Sequence, residues 1–196
     1  MIRETFSSPS ERPAVPPNKL WMEVIYLEMV EPPSKPERQP PEPNLVITLM
    51  ERPTVEFYRW IYDAVGSQWM WHVRKLITDE ALAAIIHDPQ VEVHLFSQDD
   101  AVVGYAEIDR RDPVNVEIGF FGLLPNFVGR GLGPYFLDQV IRLAWMKNAK
   151  RVWLHTCIFD HPKAVATYKN SGLKVFKHES YVIDDPRPAI GAIKTM

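Results

Sequence analysis

The chain has one cysteine, Cys157, in 196 residues. No internal disulfide can form, so a reducing compartment is the default. No apolar run approaches the ~18 residues that a bilayer crossing needs. The first residues lead into prolines and charges rather than a hydrophobic signal region. A cytoplasmic protein without membrane contact is the expectation. Six histidines are present, but His155 and His161 lie six apart across a strand end and no metal spacing emerges. No metal is expected. A net charge of -3 argues against nucleic acid as the main partner. Internal repeats are absent too, and 196 residues suit one full domain better than two.

Two nucleotide signatures are also missing. Gly129, Gly131 and Gly133 stand at alternate positions, G-x-G-x-G, where a dinucleotide fingerprint needs G-x-G-x-x-G. No Lys-Ser or Lys-Thr follows them, which excludes a P-loop. Yet these glycines join an apolar strand to a long amphipathic helix. The first turn of a helix carries free amide hydrogens and partial positive charge, and glycine lets a ligand approach the backbone. The arrangement can seat a phosphate or pyrophosphate. Pro134 fits there, because its missing donor costs nothing in a first turn. A tight loop without a ligand is the plainer use of the same residues.

Eleven of the eighteen prolines fall in the first 53 residues. Residues 1–17 should wrap the surface or stay loose, 20–30 read as a strand, and 31–43 as an extended Pro-rich connector. We divide the chain into a Pro-rich extension with an extra strand, 1–43, and a main domain, 44–196. The main domain opens with strand 44–50, followed by helical material over 54–88 that Gly66-Ser67 breaks and Thr78 restarts. Phe57, Trp60, Ile61 and Ala64 would form the buried face of its first helix. Between the helices, Trp69, Trp71, His72 and Arg74 crowd a loop that either packs on the sheet or walls a substrate site. Strands follow at 91–97, 101–109 and 114–124. After the glycines, Leu132, Phe136, Val140 and Ala144 mark a core-facing helix. Strand 151–157, helix 161–171 and strand 173–182 complete the order, before a polar tail. Strand, glycine turn, helix and strand imply a right-handed crossover between roughly parallel strands, in a mixed α/β fold.

Residues 125–133 and the helix after them resemble the coenzyme-A-binding motif of the GNAT acetyltransferases. Downstream, residues 161–173, with Ala164, Tyr168, Gly172 and Leu173, resemble that family's second signature. The likeness covers 91–182 well and 54–88 loosely. Val128 stands where the family usually has Gln or Arg, and His161 where it usually has Asn. The resemblance implies a mixed, mostly antiparallel twisted sheet, splayed at the cofactor site and flanked by helices. It implies acetyl-coenzyme A with its pyrophosphate on the backbone of Val128, Gly129, Arg130, Gly131, Leu132, Gly133 and Pro134. The pantetheine arm would pair near Phe121 and Leu123. Arg130 would add a charged contact to phosphate, unless it is simply a solvated turn residue.

Transfer to an amine by direct attack in a ternary complex needs an unprotonated acceptor, so a base is useful. Glu117 is the candidate, standing fourteen residues before the middle glycine like the glutamate that some members use. Strict alternation would put it on one face with Gly119, Phe121 and Leu123, opposite Phe120. Apolar neighbours would raise its pKa. Its plainer roles are an exposed strand residue or an ion pair with Arg110 or Arg111. Tyr168 occupies the family's general-acid position near the sulfur, with core packing as the alternative. The amide of Leu123 would donate to the developing oxyanion. His155 is a substrate-site or relay candidate, or a buried, satisfied histidine, and Cys157 is not expected to act as nucleophile. The acceptor, a small-molecule or peptide amine, would enter past Trp69, Trp71 and Glu117. A coenzyme-A-binding regulatory module without catalysis is the rival reading, and a purely structural α/β domain is a third. The Pro-rich segment could serve homodimer contacts or cover an edge strand.

Overall fold

The computed structural model describes residues 5–6 and 14–192. Most of the segment expected to wrap the surface or stay loose therefore lies outside the described residues. In chain order the elements are β1 (Thr5–Phe6), β2 (Lys19–Met29), β3 (Leu45–Leu49), α1 (Val55–Gly66), α2 (Asp79–Ile86), β4 (Val91–Gln98) and β5 (Ala101–Asp109). They continue as β6 (Asn115–Leu123), α3 (Leu132–Trp145), β7 (Arg151–Cys157), α4 (Ala164–Asn170), β8 (Lys174–Asp184) and α5 (Arg187–Ala192). The strands form one sheet in the order β1-β8-β2-β7-β6-β5-β4-β3. Every neighbouring pair is antiparallel except β6 and β7. The crossover through α3 therefore joins the parallel pair, as the element order implies. β2 lies inside the sheet, between β8 and β7. The polar tail differs from expectation in turning into the short α5.

Helices cover both faces. On one, α3 buries Leu132, Phe136, Leu137, Val140, Ile141 and Ala144 against Leu27, Phe96, Ile108, Ile118 and Val152. Phe136 stacks on Phe96 with centroids 4.4 Å apart. Each buried Leu, Ile, Val or Phe side chain here contributes about 1.5–3 kcal/mol. On the other face, α1 and α2 cover Val93 and Tyr105. The Thr54 side chain caps α1 by accepting from the Phe57 amide at 3.1 Å, and Thr78 caps α2 through Ala81. The buried stripe of α1 is not the expected one: Tyr58, Ile61, Tyr62 and Val65 point inward while Trp60 is 48% exposed. Two tyrosines win the core positions because their hydroxyls find partners there, Tyr58 with Glu107 and Tyr62 with the Arg74 amide. α4 begins at Ala164 rather than His161, whose Nδ1 instead accepts from the Lys163 amide.

One irregularity matters for the site. Across β5 and β6, Glu107 faces Phe120 and Ile108 faces Ile118, so Gly119 is an extra residue, a β-bulge. Ile118 and Phe121 pack on the α3 side, whereas Phe120 packs on Tyr62 at 5.1 Å on the α1 side.

Candidate active site

Pairing between β6 and β7 covers Asn115 with Arg151, Val116 with Val152 and Glu117 with Trp153, and ends there. Beyond Glu117 the strands part into a V. The Leu124 amide bonds the Val103 carbonyl of β5 at 2.8 Å. Amides alternate along an antiparallel strand, so those of Leu123 and Phe121 point away from β5, into the V. Tyr168 on α4 meets Phe121 edge-on, with centroids 6.5 Å apart.

The V leads to the glycine loop. A 3-10 turn, Pro125–Phe127, engages the Val128 amide with the Pro125 carbonyl at 3.2 Å, so that amide is not free for a phosphate. Past it, Gly129 and Gly131 hold φ of 89° and 80°, and a Cβ added at either would meet nothing within 4 Å. This is left-handed backbone with open space over it, which suits glycine and a close ligand. Gly131 is the N-cap of α3 and no side chain caps that end. Among the described residues, the amides of 129–133 have no hydrogen-bond partner outside the helix. Pro134 lies in the first helical turn and has no amide hydrogen to offer; the Leu132 side chain is fully buried and anchors the loop. Arg130 is exposed, and it is paired with Glu42 of the Pro-rich connector, bonded to Gln98 at 3.0 Å and placed over the Phe127 ring.

The Gly119 bulge moves Glu117. Instead of sharing a face with Phe121 and Leu123, it lies on the α1 side with Phe120, because the extra residue reverses the alternation beyond it. Nor do apolar side chains enclose it. Its Oε1 lies 3.1 Å from His155 Nδ1, and the two side chains are 24% and 46% exposed. The Arg110 and Arg111 pairings considered for Glu117 go elsewhere, to Glu92 and Asp109. His155 is thus neither buried nor isolated, but stands beside Tyr26 and Trp153 with ring centroids 5.8 and 6.2 Å away. A cleft of about 500 Å³ opens beside Glu117, lined by Arg111, Asp112, Asn115, Arg151 and Trp153 among others.

Trp69 and Trp71, on the loop after α1, do not line that cleft but meet β6 and the turn after β7. Trp71 packs on Phe120 at 5.1 Å, and its Nε1 donates to Asp160 at 3.2 Å; Trp69 meets His161 edge-on. Burial, and then the Asp160 charge, push the Tyr168 phenol well above its ordinary range. Tyr168 is therefore a protonated hydroxyl across the neutral range. The same two causes push the Cys157 thiol up to about 11. At pH 8 its thiolate fraction should be about 200-fold below that of a free cysteine. Its rate with an aromatic disulfide reagent is expected to rise about tenfold per pH unit up to that value; a fast reaction at pH 7 would overturn this.

Two polar centres escaped the sequence. Glu107 is fully buried on β5, where Arg74 donates to it at 2.5 Å and Tyr58 bonds its other oxygen. Arg74 also lies over Phe120. Arg110 is buried beneath the end of α3. Only the Gln68–Arg74 crowding hinted at the first, and nothing local marked the second. Among the described residues, no group of three or more His, Cys, Asp or Glu is placed to hold a metal, and no helix is long and apolar enough to cross a membrane.

This geometry, a mixed sheet opening at a parallel pair onto a glycine-capped helix, is that of the GNAT acyltransferase fold. The description "Acetyltransferase (GNAT) family" matches residues 54–173, and the chain belongs to that family. An uncharacterized N-acetyltransferase of Mycobacterium bovis is 28% identical over 99 residues, which is 50% of this chain and 63% of the relative. The match thus spans less than two thirds of that relative. Among solved structures, a GCN5-related N-acetyltransferase from Sphaerobacter thermophilus is similar with a TM-score of 0.60 at 19% identity, covering 86% of this chain and 51% of that one. A putative GNAT-family acetyltransferase from Novosphingobium aromaticivorans gives 0.57 at 16% identity, covering 88% and 70%. At such identities the likeness is one of fold.

Proposed function

We propose that this protein transfers an acetyl group from acetyl-coenzyme A to a primary amine, directly, in a ternary complex. The observation that carries the reading is the V whose free amides run on into the uncapped glycine loop. The residues fit the donor: the backbone of 129–133 would hold its pyrophosphate, and the outward amides of Phe121 and Leu123 its arm. When bound, acetyl-coenzyme A supplies an acyl group activated as a thioester.

The chain's own groups do the rest. Glu117, at the foot of the V, takes the proton of the acceptor ammonium. In the tautomer with its hydrogen on Nδ1, His155 donates to Oε1 of Glu117 and orients the carboxylate, while Glu117, itself about a quarter exposed, hands the proton on to water. The Leu123 amide is aimed where negative charge would build. The Tyr168 hydroxyl has no hydrogen-bond partner among the described residues, so it is free to donate to a departing sulfur. With a pKa far above a thiol's ~8.5, it stabilises the thiolate by hydrogen bonding rather than by full proton transfer. The acceptor amine would lie in the cleft beside Glu117 and Trp153.

Calorimetric titration with acetyl-coenzyme A, paired with thiol release over an amine panel, tests the reading. Gly131→Val puts a branched side chain at φ 80° in the open space over the loop. It is expected to weaken donor binding at least about tenfold, by strain and by obstructing the amides. No binding to the wild-type protein, or equal binding to the variant, would overturn the proposal. Binding without thiol release for any amine would favour a non-catalytic coenzyme-A module.

A further inference from the structure

One side chain crosses the V where backbone pairing has stopped. Trp71 begins on the α1 side, pressed against Gly66, where an added Cβ would lie 2.4–2.6 Å from its atoms. Its ring reaches over Gly122 of β6, 3.6 Å from where a Cβ would stand there. At its far end, Nε1–H donates to Oδ1 of Asp160, beyond the end of β7, at 3.2 Å. Asp160 is fixed in turn, because its Oδ2 accepts from the Thr156 hydroxyl at 2.7 Å and from the Cys157 amide at 2.8 Å. One residue on, His161 receives the edge of Trp69 with centroids 5.1 Å apart. Met70, between the tryptophans, holds φ 55°, a left-handed conformation uncommon for a residue with a side chain. The loop is bent so that both rings meet the β7–α4 turn.

We propose that Asp160 is a positioning residue: it latches the Trp69–Trp71 loop across the V and thereby shapes the acceptor side of the site. The proposal rests on the acyl-transfer reading. Asp160 works through Trp71, whose indole bounds the V on the face that Glu117 and His155 share. With the latch closed, both arms of the V are held by an indole and a carboxylate in place of a backbone ladder. Released, the loop keeps its packing on Tyr62 and Phe120 but loses its hold on β7.

Two variants remove the same bond from opposite ends. Trp71→Phe keeps an aromatic ring but no donor. Asp160→Asn keeps one carbonyl oxygen for two sets of donors, so Trp71 faces an amide nitrogen when the Thr156 and Cys157 bonds are kept. Each is expected to raise the acceptor KM about fivefold, the worth of one hydrogen bond, with kcat and the donor KM within about twofold. The double variant should be no worse than the weaker single one. Amide hydrogen exchange of residues 67–76 in the full chain should quicken about fivefold in each variant. If Asp160 only stabilises the β7–α4 turn, Asp160→Asn will lower the melting temperature and leave both the loop's exchange and the acceptor KM unmoved. That result overturns the latch, as does unchanged exchange in Trp71→Phe. The exchange measurement needs no turnover, so a wild-type protein inactive toward every amine would count against acyl transfer while the latch was still decided.

Discussion

Glu117→Gln is expected to lower kcat/KM for an amine acceptor by about 10²- to 10⁴-fold at pH 7, and by far less near pH 10. An alkyl amine with a pKa near ~10.4 has under about a thousandth of its population unprotonated at neutral pH, so removal of its proton is the step that most needs help there. Glu117 stands where β6 and β7 separate, a quarter exposed, with His155 on its Oε1. Glutamine keeps the shape and a hydrogen bond to the imidazole but cannot take a proton. Raising the pH supplies free amine and makes the base dispensable, which is why the defect should shrink. Rates for wild type and variant measured from pH 7 to pH 10 check this. Equal loss at both ends would remove Glu117 as the base and leave it a binding residue.

The largest stability effect should come from a residue with no part in the chemistry. Arg110→Met is expected to cost about 3–5 kcal/mol, read from the denaturant midpoint. The guanidinium is buried, donates to the carbonyls of Leu143, Ala144 and Met146 at 2.5, 2.8 and 3.1 Å, and bonds Glu92 at 2.9 Å. It thus closes the C-terminal end of α3, whose last carbonyls have no intrahelical partners. Methionine would leave those carbonyls and a buried carboxylate without this donor. Burial alone would raise the Glu92 carboxyl, but hydrogen bonds from His94, Arg110 and Lys147 hold it well below the ordinary value of 4.5. A carboxyl depressed in the folded state stabilises above its unfolded pKa and loses that contribution as acid titrates it. Wild-type stability should therefore fall as pH drops below about 4.5, and the variant's should fall less steeply. A loss under about 1 kcal/mol, with an unchanged acid slope, would show that Arg110 does not hold the helix end.

Much of this arrangement is legible in the residues because it depends on local periodicity. Strands β4 to β7 and helix α3 follow their apolar spacing, and the glycine loop stands where strand meets helix. What escapes is whatever depends on a partner far along the chain. The bulge at Gly119 exists only in register with β5; the sole local hint was a glycine inside a strand. Missing it put Glu117 on the wrong face. Arg130 and Glu42 are 88 residues apart, and Trp71 and Asp160 are 89 apart, so no window along the sequence contains either pair. In α1, the apolar stripe through Trp60 follows side-chain polarity, whereas the burial of Tyr58 and Tyr62 follows the partners their hydroxyls find.

The position of β2 bears on how the molecule comes into being. Lys19, at its start, meets Asp184 of β8 across 165 residues, and its other edge holds β7. During synthesis, the strand that braces one arm of the V is therefore made well before β8 and must wait for it. Such remote closures make for slow refolding, in the range of about milliseconds to seconds. Until they occur, the β7 arm, which carries His155, has no strand behind it.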